Sequence, residues 1–153
     1  MSVRRPVSFL IATLGVLVGM AILASAPASA GNIVSAPAAL ASVKNGEVTL
    51  VDVRSRREWR QTGIAKGAKA VTIHNRRGIK AFVAEMVKAV GGDKSKPVAL
   101  ICAAGVRSAR AERILAAAGF TDLQNVSEGM LGRPDAGPGW LKRGLPVTPC
   151  PEC

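Results

Sequence analysis

The sequence has no tyrosine, only three phenylalanines and two tryptophans, and a single histidine. With so few aromatics, a core must be assembled from Ala, Val, Leu and Ile, with Trp59 and Trp140 as its bulkiest pieces. The same shortage argues against nucleic acid as a partner, because no basic motif interleaved with aromatic rings occurs. The one histidine, His74, lacks the neighbours a metal site would need, so neither a metal nor a cofactor is expected. Acidic residues are also scarce: 10 Asp and Glu stand against 21 Lys and Arg, for a formal net charge of +11. That balance suits a small anionic substrate or an anionic surface, although a solvated basic exterior accounts for most of the charge.

One long apolar run occurs, Val7 to Leu23, preceded by Arg4 and Arg5 and followed by Ala28-Ser29-Ala30 ahead of Gly31. A positive start, an apolar centre and a small-x-small end make residues 1–30 read as a secretory signal peptide. The expectation is export to the bacterial periplasm with cleavage after Ala30. The alternative is a retained anchor facing the periplasm, since a seventeen-residue, almost wholly apolar run lies at the lower limit of a bilayer span. Pro6 and Val7 weaken a twin-arginine reading of Arg4-Arg5. The 123 residues from Gly31 to Cys153 suffice for one domain and are too few for two. Residues 31–149 are taken as that domain and 150–153 as a Cys-x-x-Cys tail.

Strand and helix signals alternate along it. Ser35 caps a helix that holds Pro37 in its first turn and closes at Asn45-Gly46. Val48 to Val53 reads as a strand, Ser55 as the cap of a short helix ending near Thr62-Gly63, and Gly67 to Ile73 as a turn and short strand. Ile79, Phe82, Val83, Met86, Val87 and Val90 mark one face of a further helix, which Gly91-Gly92 end. Val98 to Ile101 is an uninterrupted apolar run suited to a strand buried on both faces. From Ser108, Ala109, Ala111, Ile114, Leu115 and Ala118 fall at helical spacing up to Gly119. Leu123 to Val126 is a last short strand, delivering Glu128-Gly129-Met130 to the same rim as Cys102. A Gly- and Pro-rich loop, Gly132 to Gly139, leads to Trp140. This alternation argues for an α/β fold with a parallel sheet covered by helices.

Cys102 to Arg107 would join the carboxyl end of a strand to the amino end of a helix, where open α/β sheets place their ligands. Small residues Ala103, Ala104 and Gly105 let the loop curl so that successive amides point inward, and Arg107 adds a permanent charge. Such donors stabilise an anionic sulfur, which makes Cys102 a candidate nucleophile. The other reading is an inert, buried strand-end thiol. His74 is read as a surface or rim residue, because a thiolate held by its loop needs no base. Asp52, Arg54 and Glu58, at the end of the neighbouring strand, are read as a buried ion pair near the site, with direct catalysis by Asp52 as the alternative.

Asp52-Val53-Arg54, Glu58-Trp59, Gly67-Ala68, the Cys102 to Arg107 loop, Gly129, and Trp140 followed by Gly144-Leu145-Pro146-Val147 together resemble a single-domain rhodanese, in order and spacing over almost all of residues 31–153. The resemblance implies a three-layer fold with a central parallel five-stranded sheet. It implies thiosulfate sulfurtransferase-like activity: Cys102 would take sulfane sulfur from a small anionic donor, carry it as a persulfide and pass it to cyanide, a thiol or a protein acceptor. Ala103, Ala104, Gly105, Val106 and Arg107 would bind the substrate. The loop departs from the pattern at Ala103, where members often have Arg. Arg76, Arg77 and Arg133 are candidates to replace that cation.

Two other readings stand beside this one. A cysteine phosphatase or arsenate reductase also holds a thiolate in an anion cradle, but it uses one more residue between Cys and Arg than the four found here. A low-turnover sulfur-carrier or protein-interaction module working with an exported redox partner fits the same architecture. Cys150 and Cys153 have the spacing of a vicinal redox pair or half a metal site. A plain disulfide is one expectation; a reduced pair that accepts sulfur from a Cys102 persulfide is the other.

Overall fold

Local signals place the longer helices and the inner strands before any packing does. The computed structural model describes residues 32–153 and Met1. The expected leader, with its Val7 to Leu23 run and Ala28-Ser29-Ala30 site, lies outside the described residues. In chain order the elements are β1 (Asn32–Val34), α1 (Ala36–Lys44), β2 (Thr49–Asp52), α2 (Arg56–Thr62), β3 (Ile64–Ala65), β4 (Lys69–Ala70), α3 (Ile79–Ala89), β5 (Val98–Ile101), α4 (Val106–Ala117), β6 (Leu123–Val126), α5 (Gly139–Lys142) and β7 (Val147–Thr148). Ser35 caps α1 by accepting from the Ala38 amide, with Pro37 in its first turn. Ser55 and Glu58 close a reciprocal capping box on α2. Among the described residues no helix is long and apolar enough to cross a membrane.

The main sheet has five strands in the order β1-β6-β5-β2-β4, and every pairing is parallel. β5 is central, and all four of its side chains are fully buried, as the unbroken apolar run requires. Alternation along β5 divides the core in two. Val98, Leu100 and Cys102 face Phe82 and Met86 of α3 and Ala111 and Leu115 of α4, whereas Ala99 and Ile101 face Leu40 of α1, Met130 and Trp140. Trp140 is wholly buried and donates from Nε1 to the Pro146 carbonyl at 2.9 Å. The three-layer α/β architecture and its five-stranded parallel sheet are therefore present. A second, two-stranded sheet pairs β3 with β7 in antiparallel fashion.

Three local expectations differ from the structure. The short strand read within Gly67 to Ile73 is confined to Lys69 and Ala70, which form the β4 ladder, while the amides of Val71 and Ile73 continue its bonding by donating to the carbonyls of Asp52 and Val53 at 3.1 and 3.2 Å. Ile79, placed on the buried face of its helix, is 51% exposed, at the first position of α3. β1 has no counterpart in the sequence reading. At three residues, two of them exposed, it shows no usable alternation and forms only because β6 offers it an edge.

Candidate active site

β5 ends at Ile101, α4 begins at Val106, and Cys102 to Gly105 make the turn between them. Gly105 has φ +83, and a β-carbon there would collide with the Ser127 carbonyl, so the turn requires glycine. Gly129, at φ +63, lies so close beneath the loop that a β-carbon would stand 2.5 Å from the Ala103 carbonyl. The loop's outward carbonyls are tied down: Met130 and Leu131 donate to Cys102 and Ala103, each at 2.8 Å. In contrast, the amides of Ala103, Ala104 and Gly105 donate to no other group among the described residues. Those of Val106 and Arg107 are orphan donors of the first turn of α4. Five successive N–H groups at a helix amino terminus are thereby left for an anion.

The Cys102 side chain is buried, and its sulfur accepts from the Ser108 hydroxyl at 3.3 Å. That hydroxyl also lies 3.0 Å from the Gly105 carbonyl, bracing the turn from inside. Ser108 escaped the sequence reading as a site residue; the available signal was its place in the first turn of the helix that follows the loop. Val106, named as a loop residue, is 68% exposed and stands at the loop's outer lip.

The grouping of Asp52, Arg54 and Glu58 separates into two pairs. Asp52 and Arg54 are buried together, with Arg54 Nη2 donating to Oδ2 at 2.7 Å and Nε at 3.0 Å from both carboxylate oxygens. The same guanidinium holds Thr62 Oγ1 and the Gly63 carbonyl, at 2.8 and 2.7 Å, locking the end of α2 to β2. Glu58 turns instead to Arg107, in a two-pronged bridge of 2.6 and 2.7 Å. Its Oε2 also accepts from the amide and hydroxyl of Ser55. Arg107 beside it holds the Glu58 carboxyl down at about 2, against the opposing effect of burial. Arg107 in turn is raised, chiefly by its hydrogen bonds to Glu58. The bridge ties the amino ends of α2 and α4 across the rim.

Of the cations considered as replacements near the loop, Arg133 reaches it: Nη1 donates to the Ala104 carbonyl at 3.3 Å while Nε pairs with Asp135 at 2.5 Å. Arg76 and Arg77 do not. They line a separate groove of about 590 Å³ with Arg56, Arg57 and the exposed His74. Cys150 and Cys153 are joined as a disulfide beyond β7, on the side of α2. Among the described residues no three His, Cys, Asp or Glu converge as a metal site. Glu128 is a further residue the sequence left without a role. Wholly buried, it accepts from the amides of Ala36 and Gly139 at 2.7 and 2.8 Å and from Arg143 Nε at 2.8 Å. Burial would raise its carboxyl, but these bonds outweigh it and lower it.

Comparison with known proteins agrees with this geometry. The sequence model of the Rhodanese-like domain matches residues 35–132. The crystal structure of Rv0390 from M. tuberculosis superposes with a TM-score of 0.61 at 28% identity, over 79% of this chain and 98% of that one. The solution structure of the polysulfide-sulfur transferase homodimer from Wolinella succinogenes gives 0.58 at 29% identity, over 77% of this chain and 78% of its own. Among curated proteins, the uncharacterized RP600 of Rickettsia prowazekii is 28% identical over 117 residues, 75% of this chain and 94% of that protein.

Proposed function

The chain belongs to the Rhodanese-like domain family, and from that premise we propose that it is a sulfurtransferase whose Cys102 carries sulfane sulfur as a persulfide. The observation that carries this reading is the run of five successive amides, without a partner among the described residues, that follows a cysteine at the end of the central strand. Free donors at a helix amino terminus favour an anionic sulfur both before and after loading. With thiosulfate, the Cys102 thiolate attacks the outer sulfur, the S–S bond breaks, sulfite leaves with the electron pair, and Cys102 holds a persulfide anion. Cyanide or a thiolate then attacks the outer sulfur and Cys102 returns as thiolate. Polysulfide, the donor in the name of the Wolinella neighbour, serves in the same way. The signal-peptide-like pattern of residues 1–30 supports an exported, periplasmic setting for this activity.

A second reading, a carrier module of low turnover with thiosulfate, is favoured by one observation. The three arginines bonded to the loop, its closing end or the neighbouring strand end each have a carboxylate: Arg107 has Glu58, Arg54 has Asp52 and Arg133 has Asp135. These three offer little uncompensated charge to a dianionic donor, so polysulfide or a protein persulfide should load Cys102 faster than thiosulfate.

Intact-mass measurement after exposure to each donor tests both readings. The wild type should gain one sulfur, mapped to Cys102 and discharged by cyanide as thiocyanate, and Cys102→Ser should gain none. Discharge at equal rate by the mutant, or no gain with any donor, would reject the mechanism.

A further inference from the structure

Cys150 and Cys153 are the two cysteines that the chemistry at Cys102 does not use. The strand that leads into them is held in place without their bridge. β7 is paired with β3, Thr148 against Ile64, two residues before Cys150. The Cys153 amide donates to the Cys150 carbonyl at 3.2 Å, and Arg56 Nη1 donates to the Cys153 carbonyl at 3.0 Å. Pro149 and Pro151 restrict the backbone on either side of Cys150. A bridge over two intervening residues removes little freedom from an unfolded chain, because the effect grows with the loop that is closed. This disulfide therefore adds little as a staple; with it open, β7 stays paired while the last four residues are tied to α2 through one hydrogen bond among the described residues, that of Arg56.

Access and charge favour exchange at this bridge. Both cysteines are only partly buried. Cys150 lines a groove of about 350 Å³ with Arg60, Gln61, Gly63 and Pro151. Arg56 and Arg60, one turn apart on α2, flank the cysteine turn, and neither is in an ion pair among the described residues. Cations so placed stabilise thiolates, the form in which thiols exchange. Arg56 also follows Ser55, whose amide and hydroxyl hold Glu58 and, through it, the loop-closing Arg107. The first turn of α2 thus contacts both the disulfide turn and the rim of the Cys102 loop.

We propose that Cys150 and Cys153 form a second redox site, a dithiol–disulfide couple that takes the sulfane sulfur from Cys102 and releases it as hydrosulfide; the step rests on the persulfide reading of Cys102. In the reduced pair, the Cys150 thiolate attacks the outer sulfur of the Cys102 persulfide. The persulfide S–S bond breaks, its electron pair returns to Cys102 as thiolate, and Cys150 now carries the persulfide. Cys153, giving up its thiol proton, attacks the inner sulfur; the Cys150–Cys153 disulfide forms, the persulfide S–S bond breaks, and the outer sulfur leaves with the electron pair and that proton as hydrosulfide. Two thiols are oxidised to a disulfide and one sulfane sulfur is reduced to sulfide. An external dithiol reductant restores the pair by exchange and becomes a disulfide itself.

The test uses the full chain, reduced, freed of small thiols and exposed to limiting polysulfide. Wild type should release one hydrosulfide for each sulfur taken up by Cys102 and form the disulfide, read by alkylation and mass. The Cys150→Ser/Cys153→Ser double variant should keep its persulfide and release sulfide at least about tenfold more slowly. Equal release from both proteins overturns the proposal. In a second arm, the pair in Cys102→Ser is titrated by alkylation in graded glutathione buffers, where reversible opening in the folded protein is expected. A pair that opens only when the protein unfolds also overturns it. If Cys102 gains no sulfur in either protein, the sulfurtransferase reading fails and takes the persulfide step with it, while the titration separately decides whether the pair is a redox site.

Discussion

Glu58 shows how one residue can serve two elements. Its backbone and side chain complete the cap of α2, and the same carboxylate fastens Arg107, 49 positions away, at the end of the Cys102 loop. The bridge depends on the charged carboxylate, so its contribution follows pH with a definite sign. The folded value lies at about 2, below the ordinary 4.5. The stabilisation is therefore complete above about 4.5 and is lost as pH falls from there through about 2. Glu58→Gln keeps the shape without the charge. Melting temperatures of wild type and Glu58→Gln should differ at neutral pH and converge across that window. A gap that stays constant down to pH 2 would mean that the bridge is energetically idle. Asp52 offers a contrast: its two carboxylate oxygens are both taken up by Arg54.

At the scale of elements, the unit that matters is β5, the loop and α4. β5 supplies rigidity because it is buried on both faces, and α4 supplies orphan donors and its dipole. The four residues between them must reverse direction within a very small radius, which is possible because Gly105 takes a left-handed conformation against the Ser127 carbonyl. Gly105→Ala forces the loop off that carbonyl and turns its amides away from Cys102. Persulfide formation should slow on the order of a hundredfold, as displacements of about 1 Å do at reacting centres. Far-UV circular dichroism should stay unchanged, since the fault is confined to the turn. A loading rate within twofold of wild type, measured by stopped mass analysis, would show that the run of amides is not what holds the sulfur.

For the molecule as a whole, Glu128 is the joint at which separate segments meet. It follows β6 and accepts hydrogen bonds from the start of α1, the start of α5 and Arg143. Gly129 and Met130, next in the chain, support the Cys102 loop. Glu128→Ala would leave two buried amides unsatisfied and Arg143 unpaired, at a cost of about 3 kcal/mol. The expected result is a lower urea midpoint for the whole domain together with slower sulfur loading, because the floor beneath the loop moves. An unchanged midpoint would remove Glu128 from this role.

The sequence by itself determined what depends on near neighbours. The apolar run of β5, the helical spacing after Ser108, the caps at Ser35 and Ser55 and the strand-to-helix position of Cys102 are all set by periodicity and by side chains bonding to backbone within four residues. The buried pairing of Asp52 with Arg54 was legible for the same reason, since they stand two positions apart at one strand end. The tertiary structure alone decided which distant groups meet. With 21 cations and 10 carboxylates, many pairings satisfy local chemistry, and only the sheet order, which puts β2 beside β5, brings Glu58 to Arg107. The addition of β1 at the sheet edge, the three-way bonding of Glu128 and the docking of the Cys150–Cys153 turn against α2 are of the same kind. Each is fixed by where the chain returns after a long excursion, which local patterning does not encode.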